Sequence, residues 1–305
     1  MADSQPAQEL SPRGVLIVGC GYSGRVIARQ LREKGVPVWG TTRGAAGTAA
    51  IAAAGATPVV FEAGSGDLDP AILAAIDVVI DTAGPPWSGG EDPTRAIVEA
   101  LRGAELNRFI YLSSTGVYGD KEGEWVDEST PCTPKSPQGI ARLAVEDFLL
   151  AEAASGRLPA LIARLPGIYG PGRSLLHRLD SGRFRYVGPE GPFSNRVHVE
   201  DLARGVVAMS SRGRVGQVYL LVDEGPCRLR EAAQHAADLL GIPLPQPLDP
   251  VEAAATIPPR SLAMLTESKR IRSLRFGAEL GVTLAHPTYR EGLASIHAEE
   301  WGSSE

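Results

Sequence analysis

The sequence predicts an α/β protein built on a doubly wound parallel sheet, and two observations lead to this fold class. Short apolar segments alternate with helix-like segments through the first half of the chain, which is typical of βαβ units. The apolar segments are continuous runs without polar alternation, as expected for strands buried on both faces of a sheet. Beyond residue 170 the alternation is less regular, and this indicates a smaller C-terminal lobe.

The individual elements follow from apolar runs, helical periodicity and the glycines that end helices. The predicted strands of the first half are residues 15–18, 36–39, 58–61, 77–81, 108–113 and 160–164. The predicted helices between them are residues 25–34, 45–54, 94–102 and 139–153. The second half is predicted to contain strands at 185–187 and 217–222, helices at 199–211 and 229–240, and a proline-rich linker at 243–259.

The first strand runs directly into Gly19-Cys20-Gly21-Tyr22-Ser23-Gly24, which has the spacing Gly-x-Gly-x-x-Gly. Gly19 permits a sharp turn, Gly21 leaves room for a pyrophosphate beside the backbone, and Gly24 lets a helix pack closely on the strand. The N-terminus of that helix offers N–H groups and the positive end of its dipole to phosphates. This strand–loop–helix context predicts a dinucleotide site of the Rossmann type.

Composition and charge exclude several classes of function. The 305 residues carry a net charge of -6 with a pI of about 5.5, so no basic surface for nucleic acid or an anionic membrane is predicted. No apolar run approaches the roughly 20 residues of a membrane span, and residues 1–12 lack the apolar centre of a signal peptide. Three separated cysteines and five histidines show neither a disulfide framework nor metal-ligand spacing. We expect a cytoplasmic protein without a metal, in which residues 1–12 form a flexible tail.

The residues after the second predicted strand indicate which dinucleotide binds. NAD sites have an acidic residue there, about twenty positions past the glycine loop, which accepts hydrogen bonds from the ribose 2′-hydroxyl. This chain has Thr41, Thr42 and Arg43 instead, and a guanidinium pairs with a 2′-phosphate through charge-assisted hydrogen bonds. We therefore expect a preference for NADP over NAD, with the alternative that Arg43 is a solvated loop residue.

Five further segments carry a family resemblance: two follow predicted strands, one opens a predicted helix, and two lie near the end of the chain. They are SSTGVYG at 113–119, RLPGIYGPG at 164–172, NRVHVEDLA at 195–203, SKR at 268–270 and PTYREGL at 287–293. Together with the glycine motif, these segments resemble the extended short-chain dehydrogenase/reductase superfamily, also called the NAD(P)-dependent epimerase/dehydratase family. The resemblance extends over residues 14–293, which is nearly the whole chain.

One helix departs from the pattern of that superfamily. Its members use a Tyr-x-x-x-Lys pair after a long loop, in which the tyrosine transfers a proton and the lysine holds the nicotinamide ribose. At the matching positions this chain has Gln138 and Arg142. A glutamine amide cannot act as a general acid or base, whereas Arg142 keeps its charge and can still bond ribose hydroxyls. The resemblance therefore implies an atypical member without the usual proton-transfer pair.

Other polar residues are candidates for catalysis. Ser114 matches the catalytic serine of the superfamily, and either its hydroxyl or that of Thr115 is predicted to orient a substrate oxygen. The alternative is a strand-end cap. Tyr118 and His198 are further candidates, although structural hydrogen bonding is the more common role for such residues. Trp87, after the fourth predicted strand, is expected to form a wall of the cofactor pocket or to cap the core.

These observations lead to one main hypothesis and one alternative. The main hypothesis is an atypical NADP(H)-dependent oxidoreductase or epimerase-like enzyme for a small polar carbonyl or hydroxyl compound, acting as a monomer or homodimer. The dinucleotide-binding domain is predicted at 13–170, and the substrate lobe integrated with it at 171–305. In this hypothesis, proton transfer would need water or an unconventional residue. The alternative is a dinucleotide-binding sensor or scaffold without turnover, which the loss of the Tyr/Lys pair favours. The predicted cofactor-binding residues are Gly19, Gly21, Tyr22, Ser23, Gly24, Thr41, Thr42, Arg43, Ala83, Gly84 and Arg142.

Overall fold

The structure, a computed structural model, describes residues 9–84 and 92–302. The strands are β1 Val15–Val18, β2 Val38–Thr42, β3 Thr57–Val60, β4 Val78–Asp81, β5 Arg108–Ser114, β6 Trp125–Val126, β7 Ala160–Leu165, β8 Gly167–Tyr169, β9 Phe193–Ser194, β10 Arg196–His198, β11 Val218–Leu220, β12 Cys227–Arg228 and β13 Arg270–Ile271. The α-helices are α1 Tyr22–Glu33, α2 Thr48–Ala53, α3 Pro70–Ala75, α4 Thr94–Ala100, α5 Pro137–Ala154, α6 Leu175–Asp180, α7 Val199–Arg212, α8 Leu229–Leu240, α9 Pro250–Thr256, α10 Pro259–Thr266, α11 Phe276–Leu280 and α12 Tyr289–Glu300. Short 3-10 helices cover Ala45–Gly47 and Thr115–Tyr118.

The central sheet confirms the predicted fold class. Within the described ranges, seven strands run parallel in the order β11-β7-β5-β4-β1-β2-β3. The chain winds outward in one direction from β1 through β2 to β3, and then in the other direction from β4. In doubly wound sheets, ligands bind in the crevice at the C-terminal ends of the strands, where this reversal occurs.

Helices cover both faces of this sheet. Val15 and Ile17 of β1 belong to an apolar cluster with residues of α1, α2, α7 and α11. Leu16 and Val18, whose side chains point to the opposite face, belong to a second cluster with α3, α4 and α5. Because both faces of β1 are buried, its four residues are all apolar, as the sequence predicts.

Strand β3 is an exception to the prediction that these strands are buried on both faces. It lies at the edge of the sheet, and Val60 is 61% exposed. An edge strand has a neighbour on one side only, so less of its surface is covered. A short apolar run in the sequence does not distinguish an edge strand from a central one.

The second half of the chain contributes to the central sheet and also forms a cluster of its own. Helix α7 packs against α1, and β11 pairs with β7. Helices α6, α8 and α12 pack together around a separate apolar cluster that includes Leu176, Phe184 and Ala233. The division of the chain at residue 170 into a dinucleotide-binding domain and a substrate lobe stays a prediction.

Two predictions for the second half are wrong. Residues 185–187 do not form a strand, since Val187 makes only an isolated bridge with Leu248. The proline-rich segment 243–259 is not a linker throughout, because it contains α9 and the first residue of α10. Asp249 caps α9 and Pro250 occupies its first turn, where the missing N–H of proline costs nothing.

The N-terminal segment contacts helix α7. The N–H of Leu10 donates to the carbonyl oxygen of Ser211 over 3.0 Å. Residues 1–8 of the predicted tail lie outside the described residues. None of the helices in the described ranges combines the length and apolar character needed to cross a membrane.

Candidate active site

A cleft of about 1290 Å³ opens along the C-terminal edge of the central sheet. It extends from the residues after β1 and β2 to the residues after β5, and Glu267 and Lys269 of the C-terminal third line its far side. The predicted cofactor-binding residues and the two hydroxyl candidates line this one cleft, whereas Tyr118 and His198 do not; the lining residues are Gly19, Gly21, Tyr22, Ser23, Gly24, Thr41, Thr42, Arg43, Ala83, Gly84, Ser114, Thr115 and Arg142. Their separate positions in the sequence therefore converge in a cavity with room for a dinucleotide and a small substrate.

The glycine loop has the geometry that the sequence predicts. Gly19 has a φ of +72°, in the left-handed region that favours glycine. A Cβ on Gly21 would meet nothing closer than the Gly19 carbonyl oxygen at 3.7 Å, so the space beside it is open to a ligand. A Cβ on Gly24 would lie only 3.2 Å from the Ile17 side chain. The absence of a side chain at Gly24 therefore allows α1 to lie close to β1. These residues fit a pyrophosphate that lies over Gly21.

The N-terminus of α1 also fits a phosphate. The helix begins at Tyr22, earlier than predicted, and has neither a side-chain cap nor an acidic residue in its first turn. The first N–H groups of a helix have no intrahelical partners, and an anion at this point satisfies them and interacts with the helix dipole. The Tyr22 hydroxyl donates to the Pro171 carbonyl over 3.0 Å, and burial raises the pKa of this tyrosine to about 12.

The three polar residues after β2 have different environments. Thr41 is buried, and its hydroxyl accepts a hydrogen bond of 2.9 Å from the Gly19 N–H, so it supports the glycine loop. The Thr42 hydroxyl donates to the Gly44 carbonyl over 3.1 Å. Arg43 is exposed at the mouth of the cleft and, within the described part of the chain, has neither a hydrogen bond nor an ion pair. Its guanidinium is therefore available to a ligand.

Arg142 lies in the wall of the cleft between the ends of β4 and β5. Ala83 and Gly84 follow β4 directly, and a Cβ on Gly84 would clash with the Arg142 guanidinium. The same guanidinium donates to the Leu112 carbonyl of β5 over 2.8 Å. A side chain at position 84 would therefore have to displace the Arg142 guanidinium from this position. Trp87 lies outside the described residues.

Ser114 and Thr115 lie where β5 passes into a 3-10 helix. The Ser114 hydroxyl accepts a hydrogen bond of 3.1 Å from the Gly116 N–H, which is the strand-end cap that the sequence leaves as an alternative. A hydroxyl that accepts a hydrogen bond keeps its own O–H as a donor, so capping does not prevent contact with a substrate. Thr115 is buried but lines the same cleft.

A buried ion pair supports this 3-10 helix. Glu146 of α5 is fully buried and accepts hydrogen bonds from Arg164 Nη2 over 2.7 Å and Nε over 3.0 Å, and Ser113 donates to the same carboxylate. Arg164 also donates over 2.8 Å to the Tyr118 hydroxyl, which in turn donates to the Asp127 carbonyl. Burial raises the pKa of Tyr118 to about 12, so this tyrosine has the environment of a core residue.

The fold brings two histidines and an aspartate together, although the sequence shows no metal-ligand spacing. Potential ligand atoms of His198, Asp201 and His286 lie within 4.8 Å of one another. His198 Nδ1 accepts the Glu200 N–H as the cap of α7, and burial lowers the pKa of His198 to about 4. Asp201 accepts the backbone N–H groups of residues 285–286. Asp201 therefore ties the 285–286 segment to α7, while His198 Nε2 is buried and has no hydrogen-bond partner within the described residues.

An ion pair from the C-terminal third completes the far side of the cleft. Lys269 Nζ lies 3.1 Å from Glu267 Oε2, and it also donates over 2.7 Å to the carbonyl of Gly119, 150 positions away in the chain. Gly119 immediately follows the 3-10 helix that begins at Thr115. Lys269 belongs to the SKR segment at 268–270, but only the course of the whole chain brings it and Glu267 to the cleft.

Comparison with known proteins agrees with this geometry. A model of the NAD dependent epimerase/dehydratase family matches residues 15–221, from β1 to just past β11, and this range includes the whole central sheet. The YeeZ protein of Escherichia coli strain K12 is 30% identical over 248 residues, which cover 76% of this chain and 85% of YeeZ.

Two further similarities differ in extent. A UDP-glucose 4-epimerase of Streptomyces lividans is 28% identical over 188 residues, and the match covers 54% of this chain but only 57% of the epimerase. Among solved structures, a conserved protein of unknown function from Silicibacter pomeroyi is 35% identical with a TM-score of 0.83. That similarity covers 94% of this chain and 98% of the other.

Proposed function

This chain belongs to the NAD-dependent epimerase/dehydratase family, and from that premise we propose that it is an NADP(H)-dependent oxidoreductase or epimerase-like enzyme. Its substrate is a small polar carbonyl or hydroxyl compound. The proposed cofactor preference rests on Arg43, which directly follows β2. Its guanidinium is exposed and has no partner within the described residues. An NAD site has an acidic residue at this point, whereas Arg43 provides the charge that a 2′-phosphate requires.

The arrangement of the cleft supports a direction for the bound dinucleotide. Its adenosine end lies towards β2 and Arg43, its pyrophosphate over Gly21 at the start of α1, and its nicotinamide end towards β4 and β5. Arg142, in the wall beside Gly84, has the position and the donors to bond the hydroxyls of the nicotinamide ribose. When bound, the cofactor supplies or accepts a hydride, while the protein positions the reactants.

Ser114 and Thr115 are the proposed contacts of the substrate oxygen. Both line the cleft at the end of β5, on the same side as Arg142. Hydroxyl donors that are already oriented polarise a carbonyl with little reorganisation during the reaction. The buried Glu146–Arg164 pair makes hydrogen bonds to Ser113 and Tyr118, on either side of this segment.

Calorimetric titration with NADP⁺ and NAD⁺ tests the cofactor preference. The substitution Arg43→Ala removes one charge-assisted contact, which costs about 1.5–3 kcal/mol and weakens NADP⁺ binding roughly ten- to a hundredfold. NAD⁺ binding should be nearly unchanged, because NAD⁺ has no 2′-phosphate. Arg102→Ala is the control, since Arg102 is an exposed arginine outside the cleft that pairs with Glu99. Equal losses for both cofactors in Arg43→Ala would contradict the proposal.

Turnover distinguishes the enzyme from a sensor. We expect NADPH to be consumed with at least one member of a panel of small aldehydes, ketones and sugar derivatives. Tight NADPH binding without consumption across the whole panel would instead favour a dinucleotide-binding sensor.

A further inference from the structure

The proposed enzyme has Gln138 and Arg142 at the start of α5, so its proton must be transferred by another group. We propose that Glu267 exchanges this proton with the substrate oxygen, and that Lys269 positions the Glu267 carboxylate. This inference rests on the proposed function and adds the acid/base residue that it lacks.

Few side chains in the cleft are suited to this role. Apart from arginines and Lys269, the ionisable side chains among the described residues that line the cleft are Tyr22, Glu62 and Glu267. The Tyr22 hydroxyl donates to a backbone carbonyl, and its pKa of about 12 is far from the range in which enzymes use general acids. Glu62 follows the edge strand β3, on the adenosine side. With strands about 4.8 Å apart, β3 is too distant from β5 for Glu62 to reach a substrate at Ser114.

Contacts connect Glu267 to the substrate end of the cleft. Its side chain is 19% exposed and its Oε2 lies 3.1 Å from Lys269 Nζ, which also donates to the Gly119 carbonyl over 2.7 Å. Two successive contacts therefore join the carboxylate to the residue that ends the Ser114–Gly119 segment. One Glu267 oxygen, Oε1, has no hydrogen-bond partner within the described residues and remains to accept a substrate hydroxyl.

The backbone that carries Glu267 is held from two sides. The Ser268 N–H donates to Asp120 Oδ1 over 2.9 Å, and the Ser268 carbonyl accepts the N–H of Gly123 over 3.0 Å. On the other side, Ser268 Oγ accepts the N–H of Phe193 over 3.0 Å. These hydrogen bonds fix the backbone beside Glu267, and Lys269 holds one oxygen of its carboxylate, so the group is supported before the substrate binds.

In the oxidising direction the substrate is an alcohol, and Glu267 accepts its proton. The O–H bond of the substrate alcohol breaks and its proton passes to the Glu267 carboxylate, while the C–H hydrogen leaves with both electrons to an oxidised nicotinamide dinucleotide. In the reducing direction the Glu267 carboxyl gives its proton to the carbonyl oxygen as the hydride arrives. Lys269 is a positioning residue, because its side chain holds the carboxylate by charge and hydrogen bonding.

Kinetics of the full-length protein test this role, with DL-glyceraldehyde as the carbonyl probe and NADPH as the reductant. Glu267→Gln keeps the shape of the side chain and an oxygen for Lys269, but an amide cannot transfer a proton. We expect kcat to fall about 10²-fold or more. NADPH affinity should not change. Glu252→Gln is the matched control, because Glu252 is an exposed glutamate of α9 outside the cleft lining.

A second measurement does not depend on turnover. In protein labelled with ¹³C-glutamate and saturated with NADP⁺, the carboxyl signal that is missing from Glu267→Gln belongs to Glu267. Addition of glyceraldehyde should shift this signal and leave that of Glu252 unchanged.

The outcomes separate the two proposals. Wild-type turnover that persists in Glu267→Gln with an unchanged kcat, or a Glu267 signal that does not move, would overturn the role of Glu267 and leave the oxidoreductase proposal standing. Absence of NADPH consumption by wild-type protein across the whole panel of small aldehydes, ketones and sugar derivatives would overturn the acid/base role together with the oxidoreductase on which it rests.

Discussion

The buried ion pair of Glu146 and Arg164 allows a quantitative prediction about the unfolding free energy of the protein. Glu146 has no exposed surface, and its carboxylate accepts hydrogen bonds from Arg164 Nε and Nη2 and from Ser113. The substitution Glu146→Gln keeps the volume but removes the charge, and its NH₂ group would face other donors. Since the Arg164 side chain is only 7% exposed, water cannot replace the lost counter-charge. Breaking a buried ion pair from one side costs about 3–5 kcal/mol of unfolding free energy.

Urea unfolding followed by circular dichroism measures this loss. For an m-value of about 3 kcal/mol per M, the midpoint should fall by about 1–2 M. Glu152→Gln is the control, since it makes the same change on the same helix, where the partner Arg157 is 63% exposed. Exposed pairs contribute little, so this control should leave the midpoint unchanged.

A double variant tests whether the loss comes from the unpaired charge. In Glu146→Leu with Arg164→Met, neither charge remains buried, and such replacements are often close to neutral. The double variant should therefore be more stable than Glu146→Gln. A Glu146→Gln protein with wild-type stability, or a double variant less stable than the single one, would refute the reasoning.

Two further predictions concern the cofactor and substrate ends of the cleft. Gly21→Asp should abolish NADP⁺ binding in calorimetric titration, because its carboxylate would occupy the phosphate position, whereas Gly66→Asp, at a glycine with open space around it, should not. Undiminished affinity in a folded Gly21→Asp protein would contradict the proposed pyrophosphate position. The double change Ser114→Ala with Thr115→Val should lower kcat by about 10²-fold or more in steady-state assays, whereas Gln138→Ala should change it modestly. Retention of activity in the double variant would mean that another group orients the substrate oxygen.

Local signals account for the parts of the fold and site that the sequence predicts. Gly19 must adopt a positive φ and Gly24 must let α1 approach β1, and both requirements arise within a few residues of chain. Continuous apolar runs likewise indicate buried parallel strands. The errors occur where the outcome depends on distant neighbours. Val60 is exposed because β3 lies at the edge of the sheet, and the proline-rich segment holds α9 because Asp249 caps a helix that Pro250 can begin.

The sequence by itself determines the α/β fold class, the glycine loop and the family, since each of these rests on residue types at fixed spacing. The tertiary structure alone decides which polar groups become partners. Thr41 turns its hydroxyl to Gly19 in the loop that follows the neighbouring strand, and Glu267 and Lys269 reach the cleft from the far end of the chain. A hydrogen bond requires two groups within about 3 Å, and only the order of the strands and the return of the chain bring such groups together.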